Sequence, residues 1–154
     1  MKILLATDGS PSSEVAARSI AARPWPAGSE VKIISVVEIH LAPAPGSWFV
    51  PDSHYLKLLH DLQEHARDAI EKAEAQLKET NPALAVTAEI IIGHTRETIL
   101  KQAEEWGANL IVLGSHGHKG INRFLLGSVS QAVAAQAKCS VEIVRDELAE
   151  PQPH

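Results

Sequence analysis

Apolar residues recur along this chain with two alternating periods. Short apolar or alternating runs at residues 3–6, 31–37, 86–92, 110–113 and 141–144 have the length and β-branched content of strands. Between them, apolar positions return every three or four residues, the mark of an amphipathic helix. This spacing predicts helices over residues 11–22, 53–79, 95–106 and 128 to about 138. Punctuation agrees with the periods. Ser10 stands as an N-cap with Pro11 at the first helical position, and Arg23-Pro-Trp-Pro-Ala-Gly28 breaks the first helix. Asn81-Pro82 stops the second helix and Gly107 follows the third at a C′-like position. The expected buried faces are Val15, Ala16 and Ile20 on the first helix, and Leu58, Leu62, Ala66, Ala69, Ile70, Ala73 and Leu77 on the second.

Strands that alternate with helices imply parallel βαβ units, hence a single α/β domain with a doubly wound parallel sheet. The strands at 3–6 and 110–113 are apolar throughout, as expected when both faces are covered. The other three interleave polar residues (Lys32 and Ser35, Thr87 and Glu89, Glu142) and read as peripheral. The first and fourth strands are then central and adjacent. Ligands of such sheets bind beyond the carboxyl ends of the strands, where strand order reverses. Just past these two ends stand Thr7-Asp8-Gly9-Ser10 and Gly114-Ser-His-Gly117.

The second of these segments continues through nine residues to Gly127-Ser128-Val129-Ser130 and so into the last helix. A strand that runs through a glycine-rich loop into a helix N-terminus is a device for holding anions. Glycine permits close backbone approach and positive φ, and the free N–H groups of the first turn point at the ligand. Ser128 and Ser130 add hydroxyls. A tight strand-to-helix connection with no ligand is the plain alternative for Gly114 and Gly117. Asp8 is either a cap for the first helix together with Ser10 or an acceptor for a ribose hydroxyl or base amine. Neither a Walker A loop nor the Gly-x-Gly-x-x-Gly dinucleotide fingerprint is present.

Composition narrows the partners. Of 154 residues, 14 are basic and 19 acidic, a net charge of −5, which disfavours a general nucleic-acid binder. The apolar fraction of 45% and charged fraction of 21% are those of an ordinary globular domain. No run approaches the ~20 apolar residues of a membrane span, and the opening apolar run is too short for a signal peptide. The single cysteine, Cys139, fits a reducing compartment and reads as a small buried apolar residue, so a cytoplasmic protein is expected.

Other polar residues carry weaker signals. Lys119 and Arg123 offer charge for phosphate or are simply solvated. His116 and His118 stand two apart without an obvious further metal ligand, and His54, His60 and His65 read as solvated. Residues 39–52, with three prolines, Gly46, Trp48 and Phe49, form a long loop suited to a lid or to a protein partner. No Ser–His–Asp set and no Gly-x-Ser-x-Gly elbow emerges, so no catalytic residue is assigned.

Taken together these segments resemble the ATP-binding branch of the universal stress protein family. Its signature of Gly, two residues, Gly, nine residues, Gly and Ser or Thr is met in full from Gly114 to Ser128. The opening Ile3-Leu-Leu-Ala-Thr-Asp8 and the closing Ser140-Val-Glu-Ile-Val144 are similar as well. The resemblance implies a five-stranded sheet of order 3-2-1-4-5 within residues 1–146, followed by a disordered tail at 147–154. It implies ATP, or ADP or AMP, held with Mg²⁺ through the phosphates, and a homodimer formed partly by the last strands. Ala6, Thr7 and Asp8 would line the adenine and ribose end with Val36 against the base. Gly114, Gly117, Gly127, Ser128, Val129 and Ser130 would hold the phosphates, and Leu113 is a further nucleotide-binding residue. Slow ATP hydrolysis, or a nucleotide-independent scaffold, are the alternative functions.

Overall fold

A computed structural model describes residues 1–40, 53–118 and 125–146. The 41–52 loop with Trp48 and Phe49, Lys119, Arg123 and the expected tail lie outside the described residues. The elements run β1 (Lys2–Ala6), α1 (Pro11–Ala21), β2 (Glu30–Val37), α2 (Ser53–Thr80), β3 (Ala85–Ile92), α3 (Thr95–Trp106), β4 (Leu110–Gly114), α4 (Ser128–Gln136) and β5 (Ser140–Val144). The five strands form one sheet of order β3-β2-β1-β4-β5. All four pairings are parallel, with Ile3 opposite Val31 on one side and opposite Leu110 on the other. The strand order and the doubly wound α/β class are those expected.

Side chains alternate across the pleat and build two cores. Ile3, Leu5, Val31, Ile33, Leu110 and Val112 meet Ala16, Ala17 and Ile20 of α1 and Ile70, Ala73 and Leu77 of α2. On the opposite face, Leu4, Ile34, Ile111 and Leu113 meet Ile99 and Ala103 of α3 and Val133 of α4. The small residues of α1 allow it to lie close on the sheet. Its buried face is shifted from the expected one, with Ala17 and Ala21 inside and Val15 only half-buried. On α2, Leu58 is exposed and Leu62 half-buried, because only the stretch from Ala66 to Leu77 lies over the sheet.

The polar residues of β2 mislead in one respect. β2 is an interior strand, flanked by β3 and β1. Lys32 is tolerated there because its ammonium donates to Gln102 Oε1 at 2.7 Å and pairs with Glu89 at 3.0 Å, while its stem is covered. Ser35 is buried outright. Helix α4 ends at Gln136, two residues short of expectation, as Ala137 turns extended to enter β5.

A charged cap crosses between elements at the end of β2. The α3 N-cap residue His94 makes no side-chain capping bond. Glu38 reaches over instead, accepting from the Thr95 N–H at 3.0 Å and the Thr95 hydroxyl at 2.7 Å. These two bonds, the hydroxyl first, hold the Glu38 carboxyl down to about 2 from an ordinary 4.5. A depressed carboxylate stabilises the fold above its unfolded pKa, and that contribution is lost as pH falls toward the folded value. Glu38→Gln is therefore expected to cost about 2 kcal/mol at neutral pH, allowing for screening of a side chain 27% exposed. It should also flatten the stability profile between pH 4.5 and 2, as read from urea midpoints across that range.

Candidate functional site

The carboxyl ends of β1 and β4 lie side by side, Ala6 opposite Leu113, and the loops that leave them converge. After β1 the chain takes a last sheet bond from Thr7 N–H to the Ile34 carbonyl at 2.9 Å and turns into α1. Asp8 Oδ1 accepts the Ser10 N–H at 2.9 Å, and Ser10 caps α1 by accepting the Ser13 N–H at 3.4 Å. Both readings of Asp8 therefore keep a place. One oxygen orders the turn, while Oδ2 faces Gly117, where an added Cβ would lie 2.8 Å from it. Thr7 is buried with its hydroxyl donating to Ser13 Oγ at 3.1 Å, which turns its polar group inward.

The loop after β4 is clasped from two sides. Ser12 Oγ donates to the His116 carbonyl at 2.5 Å and accepts the His116 N–H at 3.3 Å, and Ser10 Oγ donates to the same carbonyl at 3.2 Å. From the other side, Gly127 N–H donates to the Ser115 carbonyl at 2.8 Å and Ser130 Oγ to the same oxygen at 2.9 Å. The start of α4 is thus folded back onto the segment that left β4, with Gly127 against Ser115 and His116, while Gly117 lies against Asp8 Oδ2. Ser130, buried, spends its hydroxyl on this clasp. That leaves its N–H, in the first turn of α4, without an intrahelical partner.

The glycines act through closeness rather than unusual backbone. Among the described residues positive φ occurs only at Gly9, Gly28 and Gly107. A Cβ on Gly114 would sit 2.5 Å from Ser12 Oγ and 2.7 Å from the backbone of Ser12 and Ser13, so this glycine lets α1 pack on the strand end. A Cβ on Gly127 would press on the Ser115 carbonyl at 3.2 Å.

What remains open is the first turn of α4. Its N-cap, Gly127, supplies no side-chain acceptor, and the N–H groups of Ser128, Val129 and Ser130 have no intrahelical partner by helix geometry. Ser128 is exposed, and its hydroxyl has no partner among the described residues. Helix dipole and N–H groups together favour an anion there. Beside this polar end, Ala6, Val36 and Val129 are half-buried against the cluster that contains Leu113, which gives the crevice an apolar wall.

No catalytic set forms among the described residues. Ser115 Oγ and His116 Nδ1 are 2.9 Å apart, but His116 Nε2 is buried without a partner, so no third group orients the ring. Cys139 lies at the other end of β4, half-buried, and burial pushes its thiol up, away from the nucleophilic thiolate. A cavity of about 220 Å³ near Cys139 is lined by Leu100, Ala103 and Ile111. Its charged residues, Glu104 and Lys138, pair with each other at 2.6 Å. It offers no converging polar groups for a ligand. No helix among the described residues is long and apolar enough to cross a membrane.

Sequence reasoning missed Ser12 and Ser13, whose polarity reads as ordinary helix start, and His65, which α2 brings to Asp8. Periodicity carried no signal for either.

With this geometry in place, comparison with known proteins is decisive. The model of the universal stress protein family matches residues 1–145. The chain belongs to the universal stress protein family. It is 32% identical over 148 residues to universal stress protein MJ0531 of Methanocaldococcus jannaschii, spanning 94% of this chain and 81% of that protein. Against MJ0577 of the same organism the identity is 27%, and the solved structure of MJ0577 superposes with a TM-score of 0.79 over 96% of this chain and 97% of that one. The universal stress protein of Archaeoglobus fulgidus in complex with dAMP shares the fold, with a TM-score of 0.62 at 20% identity over 94% of this chain and 97% of that one.

Proposed function

We propose that this protein is a dimeric, nucleotide-dependent stress-response module that holds ATP with Mg²⁺ between the ends of β1 and β4. The observation that carries the reading is the uncapped first turn of α4, tied back through Gly127 to the Ser115 carbonyl of the loop whose Gly117 lies against Asp8. Three backbone N–H groups and the Ser128 hydroxyl suit the oxygens of a phosphate chain, and Gly117 keeps a side chain away from Asp8 Oδ2. Asp8 Oδ2 is the acceptor for a ribose hydroxyl. Ala6, Val36 and Leu113 form the apolar wall for the base, with Val129 at the junction. The dAMP complex of the Archaeoglobus fulgidus protein supports an adenine nucleotide as the ligand class. Mg²⁺ favours phosphate oxygens and water, and it supplies charge neutralisation without dedicated protein ligands.

The dimer is assigned to β5, an edge strand whose Val141 and Ile143 are only partly covered. Pairing of this edge with a second copy would satisfy its free backbone groups. Slow ATP hydrolysis is at most a side activity, since no base is positioned among the described residues.

The test is thermal stability with nucleotide. ATP at a hundredfold excess over its Kd stabilises a one-site protein by about 2.7 kcal/mol, through mass action. A rise in melting temperature with ATP that exceeds the rise with an equal concentration of inorganic triphosphate supports adenine recognition. An equal rise with both would reduce the site to an anion cradle.

A further inference from the structure

His65 and His118 are 53 residues apart in sequence, yet their Nε2 atoms lie 3.1 Å from each other. Both also face one backbone oxygen, the Asp8 carbonyl, at 3.0 Å from His65 and 2.7 Å from His118. The rings meet edge to face with centroids 5.0 Å apart. Gly9 permits this approach. It takes φ +77°, and its open side lies against His65 Nε2 and Ala69 Cβ, which share one face of α2.

No placement of protons makes hydrogen bonds of all three contacts. If both Nε2 atoms carry hydrogen, the Asp8 carbonyl accepts from both, and the Nε2 pair is left as two donors 3.1 Å apart. If either lacks hydrogen, its lone pair faces the carbonyl lone pairs at 3.0 Å or less. Three converging lone pairs suit a cation instead. A six-coordinate ion with ligands at about 2.0–2.1 Å places cis ligands about 2.9 Å apart, close to the 3.1, 3.0 and 2.7 Å that separate these three atoms.

We propose that His65 Nε2, His118 Nε2 and the Asp8 carbonyl form one face of a binding site for a divalent first-row transition-metal ion such as Zn²⁺. Imidazole nitrogen selects this class over Mg²⁺, which takes oxygen ligands. Both histidines are exposed, so water completes the shell. Among the described residues no third His, Cys, Asp or Glu side chain joins them, which makes this an open, exchangeable site rather than a closed structural one. The ion ties α2 to the turn after β1 and the loop after β4.

The proposal is independent of nucleotide binding, and its test uses none. Zn²⁺ is titrated into the nucleotide-free full chain in competition with a chromogenic chelator, and melting temperatures are taken with and without Zn²⁺. Wild type is expected to take one equivalent and to melt higher with it. His65→Ala and His118→Ala should each weaken binding more than tenfold and abolish the thermal shift. His60→Ala, exposed on the same helix, should leave both unchanged. Wild-type affinity in either of the first two variants, or no uptake by wild type, would overturn the site.

Discussion

Gly114→Ala is expected to be the most destabilising single-methyl change in the described part of the molecule. The new Cβ would stand 2.7 Å from the Ser12 carbonyl carbon and the Ser13 nitrogen. These are backbone atoms at the start of α1, and they have no rotamer by which to yield. Either β4 or α1 must move, and α1 carries Ala16, Ala17 and Ile20 into the core. Overpacking of this kind costs about 3 kcal/mol, which lowers the melting temperature by roughly 10 °C in a domain of this size. The displaced Ser12 would also release the His116 backbone, so nucleotide binding should fall along with stability. Gly117→Ala serves as the contrast. Its Cβ meets only the end of the Asp8 side chain, which can rotate away, so stability should change by less than about 1 kcal/mol. Equal destabilisation by both substitutions would show that Gly114 is not held by α1.

Ser128→Pro is expected to remove nucleotide binding and leave the fold intact. Proline is at home at the first position of a helix, where the missing N–H has no intrahelical acceptor. Gly127 is already extended, at φ −62° and ψ 159°, as a residue before proline requires. The substitution deletes one N–H and one hydroxyl from the anion-facing turn. Hydrogen bonds to charged groups contribute about 1.5–3 kcal/mol each, so the two together should weaken ATP binding by a factor of about one hundred or more. Ser128→Ala, which removes only the hydroxyl, should weaken it by about a tenth of that factor. The urea midpoint of Ser128→Pro should match wild type. Undiminished ATP affinity in this variant would remove α4 from the site.

Much of this architecture was legible from one-dimensional patterns because a doubly wound sheet imposes them. Leu4 and Leu5 point to opposite faces and are both fully buried, so β1 must be apolar over residues 3–6, and β4 likewise over 110–113. That condition placed the two central strands together and with them the crevice. The reading weakened where a long side chain carries its own solution. Lys32 made β2 look peripheral, but its ammonium finds Gln102 and Glu89 and its stem is covered. On α1, alanine and serine are so similar in bulk that period alone could not separate Val15 from Ala17.

The site divides along the same line. Spacing from Gly114 to Ser128 identified the loop, yet the reason for each glycine was hidden. Gly114 answers to Ser12 and Ser13, Gly117 to Asp8, and Gly127 to Ser115. None of these contacts has a signature in sequence, since each joins segments that only the finished fold brings together. The meeting of His65 with His118 and the reach of Glu38 to Thr95 are invisible for the same reason. Periodicity locates a face of a helix, whereas such contacts depend on how far that helix slides along its neighbours.

The central claim is that the crevice between β1 and β4 is an adenine-nucleotide site built on the first turn of α4. Isothermal titration of the wild-type chain with ATP in the presence of Mg²⁺ tests it most directly. The account predicts saturable heat with one ATP per chain, reduced about a hundredfold in affinity by Ser128→Pro. No heat with ATP, ADP or AMP, or full-strength binding in the proline variant, would contradict it.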